Sequence, residues 1–262
     1  MKLPFYKFHG TGNDFILIDE RITDHNLNLS QIKGLCNRHF GIGADGLMLL
    51  KTEIGYDFRM VYYNSDGSES TMCGNGGRCM ISFAKKLGLV NKEAKFIAID
   101  GEHTGIITEQ GHESSVVKLK MKDVLGIKTE KAYDFLDTGS PHAVIYDENA
   151  EVTDVVSEGR KIRYSRTFAE VGTNVDFVKI SDSGLIVRSY ERGVENETLS
   201  CGTGVTASVL SFAGRNPDLQ SPCKVKTVGG ELIVYFKRKE KGFVDIWLEG
   251  PATFVFNGEI EI

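Results

Sequence analysis

Two cysteines lie in matching motifs half a chain apart. Segments 69–76 and 197–204 read ESTMCGNG and ETLSCGTG, share the pattern E-x-x-x-C-G-x-G, and are offset by 128 residues. Each motif leads into a predicted helix, whose first N–H groups and dipole favour negative charge. We therefore expect the pKa of Cys73 and Cys201 to fall below about 8.5. The same backbone turns predict a cradle for an anion such as a carboxylate.

A pair of opposed thiols suits inversion at a carbon acid. One sulfur removes a proton from one face of the carbon, and the other delivers a proton to the opposite face. Two like charges at close range disfavour double ionisation, so one thiolate and one thiol are the expected state. A single cysteine before a helix is more often a small buried residue. The duplication of the motif favours a catalytic role for the two cysteines over a purely structural one. The expected substrate is an α-amino acid.

The same offset recurs elsewhere and indicates an internal repeat. It aligns GTGNDFILID (10–19) with TGSPHAVIYD (138–147) and places Tyr62 on Tyr190. The sequence thus predicts an α+β chain of two pseudo-symmetric domains, each a mixed β-sheet or barrel wrapped around a central helix. The predicted domains are 1–122 and 123–251, with the final strand at 252–262 free to return to the first.

Local patterns supply the elements of this architecture. The segment GVTASVLSFAG (204–214) is small or apolar on every face, which predicts a helix enclosed by the rest of its domain. Helices are predicted over Leu29–His39, Gly77–Leu87 and Val205–Ala213. Strands are predicted over Phe15–Ile18, Phe58–Tyr63, Phe96–Ile99, Val116–Lys120, Ala143–Tyr146, Val175–Ile180, Leu185–Tyr190, Leu232–Phe236 and Phe243–Leu248. The run KRKEK (237–241) is predicted as a solvated hairpin turn.

Composition excludes several function classes. The 31 Lys and Arg residues against 36 Asp and Glu leave a net charge of −5, which argues against nucleic acid as a partner. The apolar runs are far shorter than the roughly 20 residues of a membrane span. The first ten residues contain no secretory apolar region, so we expect a cytoplasmic protein with no membrane partner.

The remaining motif signals are weaker. Cys36, Cys79 and Cys223 form no CxxC pair or zinc-ligand spacing and are predicted to fill core space, and no metal is expected. The sequence GIGADG (41–46) satisfies a dinucleotide fingerprint. That fingerprint needs a strand before it and a helix after it, whereas the predicted order here is helix and then strand, so we interpret the segment as a turn.

Six motifs in order over nearly the whole chain resemble the diaminopimelate epimerase family. They are HGTGNDF (9–15), GIGADG (41–46), NSDGSESTMCGNGGRC (64–79), GSPHAV (139–144), YERG (190–193) and ETLSCGTG (197–204). The resemblance implies an isomerase that inverts one α-carbon of diaminopimelate, from the LL to the meso form, in a cleft between two domains. It also implies that no cofactor such as pyridoxal phosphate is used, a role in lysine and peptidoglycan precursor synthesis, and a small-molecule amino acid partner, with a homodimer as one assembly.

The resemblance also implies roles for individual residues. Cys73 and Cys201 match the catalytic thiols, with His142 assisting Cys73 and Glu191 assisting Cys201. The carboxylate at the reacting centre would be held by Gly74, Asn75, Gly202 and Thr203. The distal amino acid end would be held by Asn13, Asn64, Asn174 and Arg192.

Two positions depart from the family pattern. Ser140 stands where the family often has Asn, and Gly46 stands where many members carry Gln. Both changes concern the distal end of the substrate, so a related amino acid substrate stays open.

Three other interpretations stay open on sequence alone. A thiol redox protein would use the two cysteines as a functional disulfide. A two-lobed amino acid binding protein would hold a ligand without chemistry. A relative of proline racemase, which shares the fold superfamily and the cysteine pair, would invert proline or hydroxyproline.

Overall fold

The computed structural model describes residues 2–262, which divide into two compact units. The first unit runs up to Leu119 and includes the C-terminal segment Gly250–Ile262. The second unit is Lys120–Glu249. The four helices are α1 (Leu29–Cys36), α2 (Gly74–Lys86), α3 (Val155–Arg163) and α4 (Gly202–Arg215). The strands are β1 (Lys2–Gly10), β2 (Asn13–Asp19), β3 (Gly46–Lys51), β4 (Phe58–Asn64), β5 (Glu69–Ser70), β6 (Glu93–Ala98), β7 (Gly101–Gln110), β8 (Ser114–Lys120), β9 (Lys128–Thr129), β10 (Asp134–Asp137), β11 (Pro141–Tyr146), β12 (Asn174–Ser181), β13 (Gly184–Glu191), β14 (Asn196–Thr198), β15 (Cys223–Thr227), β16 (Gly230–Lys239) and β17 (Gly242–Glu261).

The first unit is a closed mixed barrel. Its strands pair in the order β1, β2, β3, β4, β6, β7 and β8, with β2–β3 and β4–β6 parallel and the other pairs antiparallel. The last part of β17 pairs with β8 through Gly250–Thr253 and with β1 through Thr253–Glu261. This segment supplies the eighth strand and leaves no edge open within the ring.

The second unit repeats this order. Strands β10, β11, β12, β13, β15, β16 and the first part of β17 are successive neighbours, and the parallel pairs are again the second and fourth. The chain after β8 completes the ring, because Val124 bridges Phe243 and β9 pairs with β10. The predicted α+β architecture of two repeated barrels is confirmed. Each barrel is closed by the segment that follows the last strand of the other.

One helix lies at the centre of each barrel, as predicted. Helix α2 is buried from Gly74 through Ala84 and packs on β1, β2, β3 and β7. Helix α4 contacts β10 to β13, β15 and β16, and only a few of its residues are not buried. Small side chains on all faces let strands approach from every direction. In the part of the chain that the structure describes, none of the helices combines the length and apolarity that a bilayer span requires.

Both central helices begin earlier than predicted. They start at Gly74 and Gly202, three residues before Gly77 and Val205. Glycine is a poor helix former, so the glycine-rich turns were predicted to lie outside the helices. The close fit of these turns against neighbouring strands overrides that preference.

The other differences follow from local polar groups. The predicted helix Leu29–His39 ends at Cys36, since the Asn37 side chain accepts the N–H groups of His39 and Phe40, both at 2.9 Å, and turns the chain. In the predicted turn KRKEK, the first three residues belong to β16 and only Glu240 and Lys241 form the turn. Strands β1, β5, β7, β9, β10, β14 and β15 and helix α3 were not predicted, since glycines, charges or shortness obscure their periodicity.

Truncating the central helix of the second unit tests its role in the core. Leu210 is fully buried in α4, so Leu210→Ala removes contacts and leaves a cavity. We expect the free energy of unfolding to fall by about 2–5 kcal/mol, measured by urea denaturation. The matched control is Leu125→Ala, which truncates a leucine that is 74% exposed and should change the midpoint little. Equal effects of the two changes would contradict a central position for α4.

Candidate functional site

Cys73 is the N-cap of α2. Its sulfur accepts the Gly76 N–H at 3.2 Å, so one of the unsatisfied donors of the first turn points at the thiol. A β-carbon on Gly76 would lie 2.2 Å from Cε of Met48 on β3 and 3.1 Å from the Cys73 sulfur. The last glycine of the C-G-x-G motif therefore leaves room beside the first turn for the Met48 side chain and the Cys73 sulfur.

Cys201 occupies the equivalent N-cap position of α4. It is buried, with 6% of its surface exposed, and its sulfur lies 3.4 Å from the Thr203 hydroxyl. A β-carbon on Gly204 would lie 2.3 Å from Oδ1 of Asp176 on β12. The motif glycine again lets a strand side chain contact the first turn of the helix.

His142 joins this first turn to a buried carboxylate. Its Nδ1 lies 2.7 Å from Oδ2 of Asp176, and its Nε2 lies 3.0 Å from the Thr203 hydroxyl. Both His142 and Asp176 have no exposed side-chain surface. The Ser189 hydroxyl donates to the other oxygen of Asp176 at 2.6 Å. A continuous hydrogen-bonded chain thus connects Asp176, His142, Thr203 and the Cys201 sulfur.

Glu191 ends β13 and lies close to the same cysteine. The Thr198 hydroxyl donates to its Oε1, and burial raises the pKa of this carboxyl above its ordinary value despite that hydrogen bond. The Cys201 thiol also interacts with Glu191, so the predicted pairing of these two residues is present within the second unit.

The pKa of Cys201 is shifted opposite to the sequence-based expectation. The helix N-terminus was expected to lower it. Burial raises the pKa of this thiol well above its ordinary value, and the negative charges of Glu191 and Asp176 raise it further. Desolvation and two nearby carboxylates outweigh the hydrogen bonds offered by the helix turn. At neutral pH Cys201 is therefore a protonated thiol.

Two of the predicted binding amides meet in the first unit. Asn75 is 3% exposed, and its Nδ2 donates to Oδ1 of Asn13 at 3.3 Å. Asn13 in turn donates to Asp45 at 2.7 Å. Asn64 lies at the end of β4, directly opposite Gly46 at the start of β3, and donates to the Ser68 hydroxyl at 3.3 Å. Asn13 and Asn64 therefore lie at the same edge of the barrel.

Two further predicted binding residues meet in the second unit. The backbone N–H of Arg192 donates to Oδ1 of Asn174 at 2.8 Å, and the Arg192 guanidinium donates to the Val171 carbonyl at 2.9 Å. Asn174 also donates to the Ser140 hydroxyl at 2.6 Å. The shorter Ser140 side chain, one of the two departures from the family pattern, is thus held directly by a predicted binding residue.

Gly46 is the other departure from the family pattern, and the space beside it is occupied by the Tyr62 side chain and the Tyr63 backbone. A β-carbon on Gly46 would lie 2.5 Å from Cε2 of Tyr62 and 2.7 Å from the Tyr63 carbonyl. The Tyr62 ring also packs edge-on against Phe15, with ring centroids 6.0 Å apart. A glycine at position 46 is therefore needed for this packing.

Three polar residues that contact predicted site residues of their own unit were not predicted from sequence. Asp176 orients His142, Thr198 donates to Glu191, and the fully buried Arg78 donates to the Asn75 side chain at 2.8 Å. The signal for Asp176 is a single acid within the apolar strand sequence NVDFV, since a charge on a buried strand needs a partner. No comparable local signal marks Thr198.

The three cysteines outside the two matching motifs are buried. None of the five cysteines is in a disulfide, and Cys36, Cys79 and Cys223 are buried as predicted. Over residues 2–262, no group of three or more His, Cys, Asp or Glu side chains is arranged to hold a metal ion.

Comparison with known proteins identifies one family over both halves of the chain. The model of the diaminopimelate epimerase family matches residues 5–124 and 135–255. A diaminopimelate epimerase from Flavobacterium psychrophilum is 47% identical over 260 residues, covering 98% of this chain and 100% of that protein. One from Chlorobaculum tepidum is 42% identical and covers 97% of this chain and 99% of that protein.

Solved structures with the same fold are more distant in sequence. A phenazine biosynthesis protein of the PhzF family from Bacillus anthracis has a TM-score of 0.75 at 13% identity, with full coverage of both chains. A hydroxyproline epimerase from Agrobacterium vitis has a TM-score of 0.73 at 12% identity and covers 99% of this chain and 92% of that one. At these identities the similarity shows the fold alone.

Removing the charge of Asp176 tests the buried hydrogen-bonded chain. In Asp176→Asn, an amide replaces the acceptor of His142 and Ser189, so we expect a loss of roughly 2 kcal/mol in the free energy of unfolding. Nitrogen-15 NMR of His142 should also show an altered proton distribution over its ring nitrogens. The control Asp182→Asn changes an exposed carboxylate and should alter neither measurement. An unchanged His142 spectrum in Asp176→Asn would contradict the assigned contact.

The raised pKa of Glu191 predicts a pH dependence of stability. The native carboxyl keeps its proton above the ordinary value of 4.5, so the native state binds more protons than the unfolded state in that window. Its contribution to stability must therefore fall as pH rises from the unfolded pKa to the folded pKa. Glu191→Gln stays neutral, so its unfolding free energy relative to the parent protein should increase with pH across the window.

Urea denaturation at successive pH values measures this difference. The control Glu170→Gln alters an exposed glutamate and should give a curve parallel to that of the parent protein. A parallel curve for Glu191→Gln as well would mean that the native pKa of Glu191 is not raised.

Proposed function

Since this chain belongs to the diaminopimelate epimerase family, we propose that it inverts one α-carbon of diaminopimelate, converting the LL to the meso form. The observation that carries the proposal is the duplicated first turn, in which a cysteine occupies the N-cap position of each of the two buried central helices. The reaction is an isomerisation and needs no net oxidant, reductant or cofactor.

The proposed chemistry is proton transfer between Cys73, Cys201 and one α-carbon. A thiolate takes the α-proton, so a C–H bond breaks and an S–H bond forms. The thiol of the other cysteine then delivers its proton to the opposite face, and its S–H electrons remain on sulfur. The two sulfurs exchange roles in the reverse direction. Inversion without a cofactor requires this arrangement, because one base alone would return the proton to the face it came from.

We assign His142 and Glu191 as the groups that assist the thiols. The interaction of Glu191 with Cys201 supports its assignment as the group that accepts or returns the proton of this thiol. His142 is assigned to Cys73, with Asp176 orienting the imidazole through Nδ1. Nε2 of His142 lies 3.0 Å from the Thr203 hydroxyl and is therefore the ring nitrogen directed at the first turn of α4.

The remaining predicted residues are assigned to substrate binding. The substrate carboxylate at the reacting centre is proposed to bind the first-turn groups of α2 and α4, since N–H groups and helix dipoles stabilise the charge that develops there. These groups belong to Gly74, Asn75, Gly202 and Thr203. The distal amino acid end is assigned to amides and a guanidinium, which suit ammonium and carboxylate groups. These are Asn13, Asn64, Asn174 and Arg192.

The biological setting is part of the same proposal. The enzyme would act in the cytoplasm on precursors of lysine and peptidoglycan, with the repeats 1–122 and 123–251 as its two catalytic halves. A homodimer is the assembly we propose, and light scattering after size-exclusion chromatography tests it.

Deuterium exchange tests the reaction directly. The purified protein is incubated with LL-diaminopimelate in deuterated water, and the product is analysed by NMR and chiral chromatography. We expect deuterium at one α-carbon together with the meso isomer. Proline, hydroxyproline and other amino acids are tested in parallel, and turnover of one of them in place of diaminopimelate would reassign the substrate.

Cysteine variants test the two-thiol scheme in the same assay. Cys73→Ala and Cys201→Ala should each abolish inversion, because each removes one of the two proton carriers. The matched controls Cys36→Ala and Cys223→Ala remove buried thiols of the first and second unit and should remain active. Full activity of either site variant would rule the scheme out. Ligand binding without exchange would indicate a binding protein, and activity that depends on a disulfide would indicate a redox protein.

A further inference from the structure

The two thiols occupy equivalent places in the repeat but different electrostatic surroundings. At the repeat offset of 128 residues, Arg78 of the first unit corresponds to Thr206 of the second. Their side chains make the same contact: the Arg78 guanidinium donates to the Gly74 carbonyl at 3.1 Å, and the Thr206 hydroxyl donates to the Gly202 carbonyl at 2.9 Å. A buried cation in one unit is thus replaced by a neutral hydroxyl in the other.

Two further pairs of equivalent positions differ because the second unit carries a carboxylate where the first carries a neutral side chain. Met48 and Asp176 both contact the motif glycine of their own unit, but one side chain is neutral and the other is a carboxylate. The position of Glu191 corresponds to Tyr63 in the first unit. All three differences make the surroundings of Cys73 more positive and those of Cys201 more negative.

Arg78 is a buried cation without a carboxylate partner among the described residues. Its side chain is fully buried, and its donors go to the carbonyls of Gly74 and Pro251, the Asn75 side-chain oxygen and the Thr11 hydroxyl. Burial lowers the pKa of Arg78 to about 10, which leaves it charged at neutral pH. The titratable groups that interact with it are the thiols of Cys79 and Cys73.

Nearby carboxylates of the first unit already have cationic partners. Asp14 is paired with Lys7 and Arg38, both at 2.7 Å. Burial would raise the pKa of Asp14, but hydrogen bonds and charges from Arg38 and Lys7 outweigh it and lower the pKa to about 2.

The other two carboxylates near this turn are also paired. Asp45 is paired with Arg38 at 2.7 Å. Asp100, which accepts the Met72 N–H at 3.2 Å, is paired with His103 at 3.2 Å. Arg78 therefore keeps its positive charge available to a thiolate.

The second unit presents the reverse arrangement at Cys201. Asp176 and Glu191 are the carboxylates that act on this thiol, and the imidazole of His142 is the neighbouring titratable group that faces them. The nearby cations are directed elsewhere, since Arg188 pairs with Glu197 at 2.6 Å and Arg192 is exposed.

From this asymmetry we infer that the unliganded protein carries its thiolate at Cys73 and its thiol at Cys201, and that Arg78 is the positioning residue that stabilises the charge on Cys73. The inference deepens the proposed function and rests on it for its catalytic meaning. A protein in this state is poised to accept the stereoisomer whose α-hydrogen faces Cys73. Turnover of the opposite isomer first requires a proton to move from Cys201 to Cys73.

Alkylation as a function of pH locates the thiolate without any turnover. The unliganded protein is treated with limiting iodoacetamide over a range of pH, and the rate at each cysteine is followed by peptide mass spectrometry. The plateau rate reports access to the sulfur, whereas the midpoint of the pH dependence reports ionisation. We expect the midpoint of Cys73 to lie about two pH units below that of Cys201.

Variants separate the charge of Arg78 from its packing. Arg78→Met should raise the Cys73 midpoint by about one pH unit or more and leave that of Cys201 in place, whereas Arg78→Lys should restore most of the shift. The matched control Arg59→Gln removes a partly buried cation of the same unit that pairs with Glu53, and it should leave both midpoints unchanged. Circular dichroism verifies the fold of each variant.

Glu191→Gln tests the other side of the asymmetry, and it also decides the question if Arg78→Met does not fold. It should lower the Cys201 midpoint, because one of the two carboxylates that oppose ionisation is removed. The inference would be overturned if the two cysteines had equal midpoints in the parent protein or if the midpoint of Cys201 were the lower one. It would also be overturned if Arg78→Met left the Cys73 midpoint unchanged. If the midpoints are as expected but the protein exchanges no deuterium into diaminopimelate, the proposed function is wrong and the thiolate assignment still holds.

Discussion

The first turn of each central helix is the constraint on which the site depends. The N–H groups at the start of a helix have no partner within the helix, and inside a barrel water cannot reach all of them. A group in front of the turn must therefore accept hydrogen bonds from these N–H groups. The Cys73 sulfur does so for Gly76, and the motif glycines let Met48 and Asp176 contact the turns where any side chain would collide.

Crosswise closure of the barrels explains how such helices stay enclosed. The first ring is closed by the last part of β17, which continues from the second unit, and the second ring is closed by the chain that follows β8. A closed ring leaves no strand edge and surrounds its helix on all sides. The first unit therefore takes its closing strand from the opposite end of the sequence.

Duplication preserved the backbone of the turn while its surroundings diverged. The thiol, the glycines and the contact to the carbonyl four residues back are the same in both units. The charged groups differ, with Arg78 in one unit and Asp176 and Glu191 in the other. In a buried region a single charge shifts the protonation of a neighbour strongly, so a few substitutions suffice to make two equivalent thiols different.

The sequence by itself determined the duplication, the α+β class, the two enclosed helices and the family, because these depend on motifs, spacing and apolar patterns that are local in the chain. Tertiary structure alone decided the pKa direction of Cys201. That direction depends on Glu191 and Asp176, which strand pairing brings to the first turn of α4 together with burial. It likewise decided that Arg78 has no carboxylate partner among the described residues and that Asp176 orients His142. Charge interactions and desolvation act through space, so residues far apart in the chain set them.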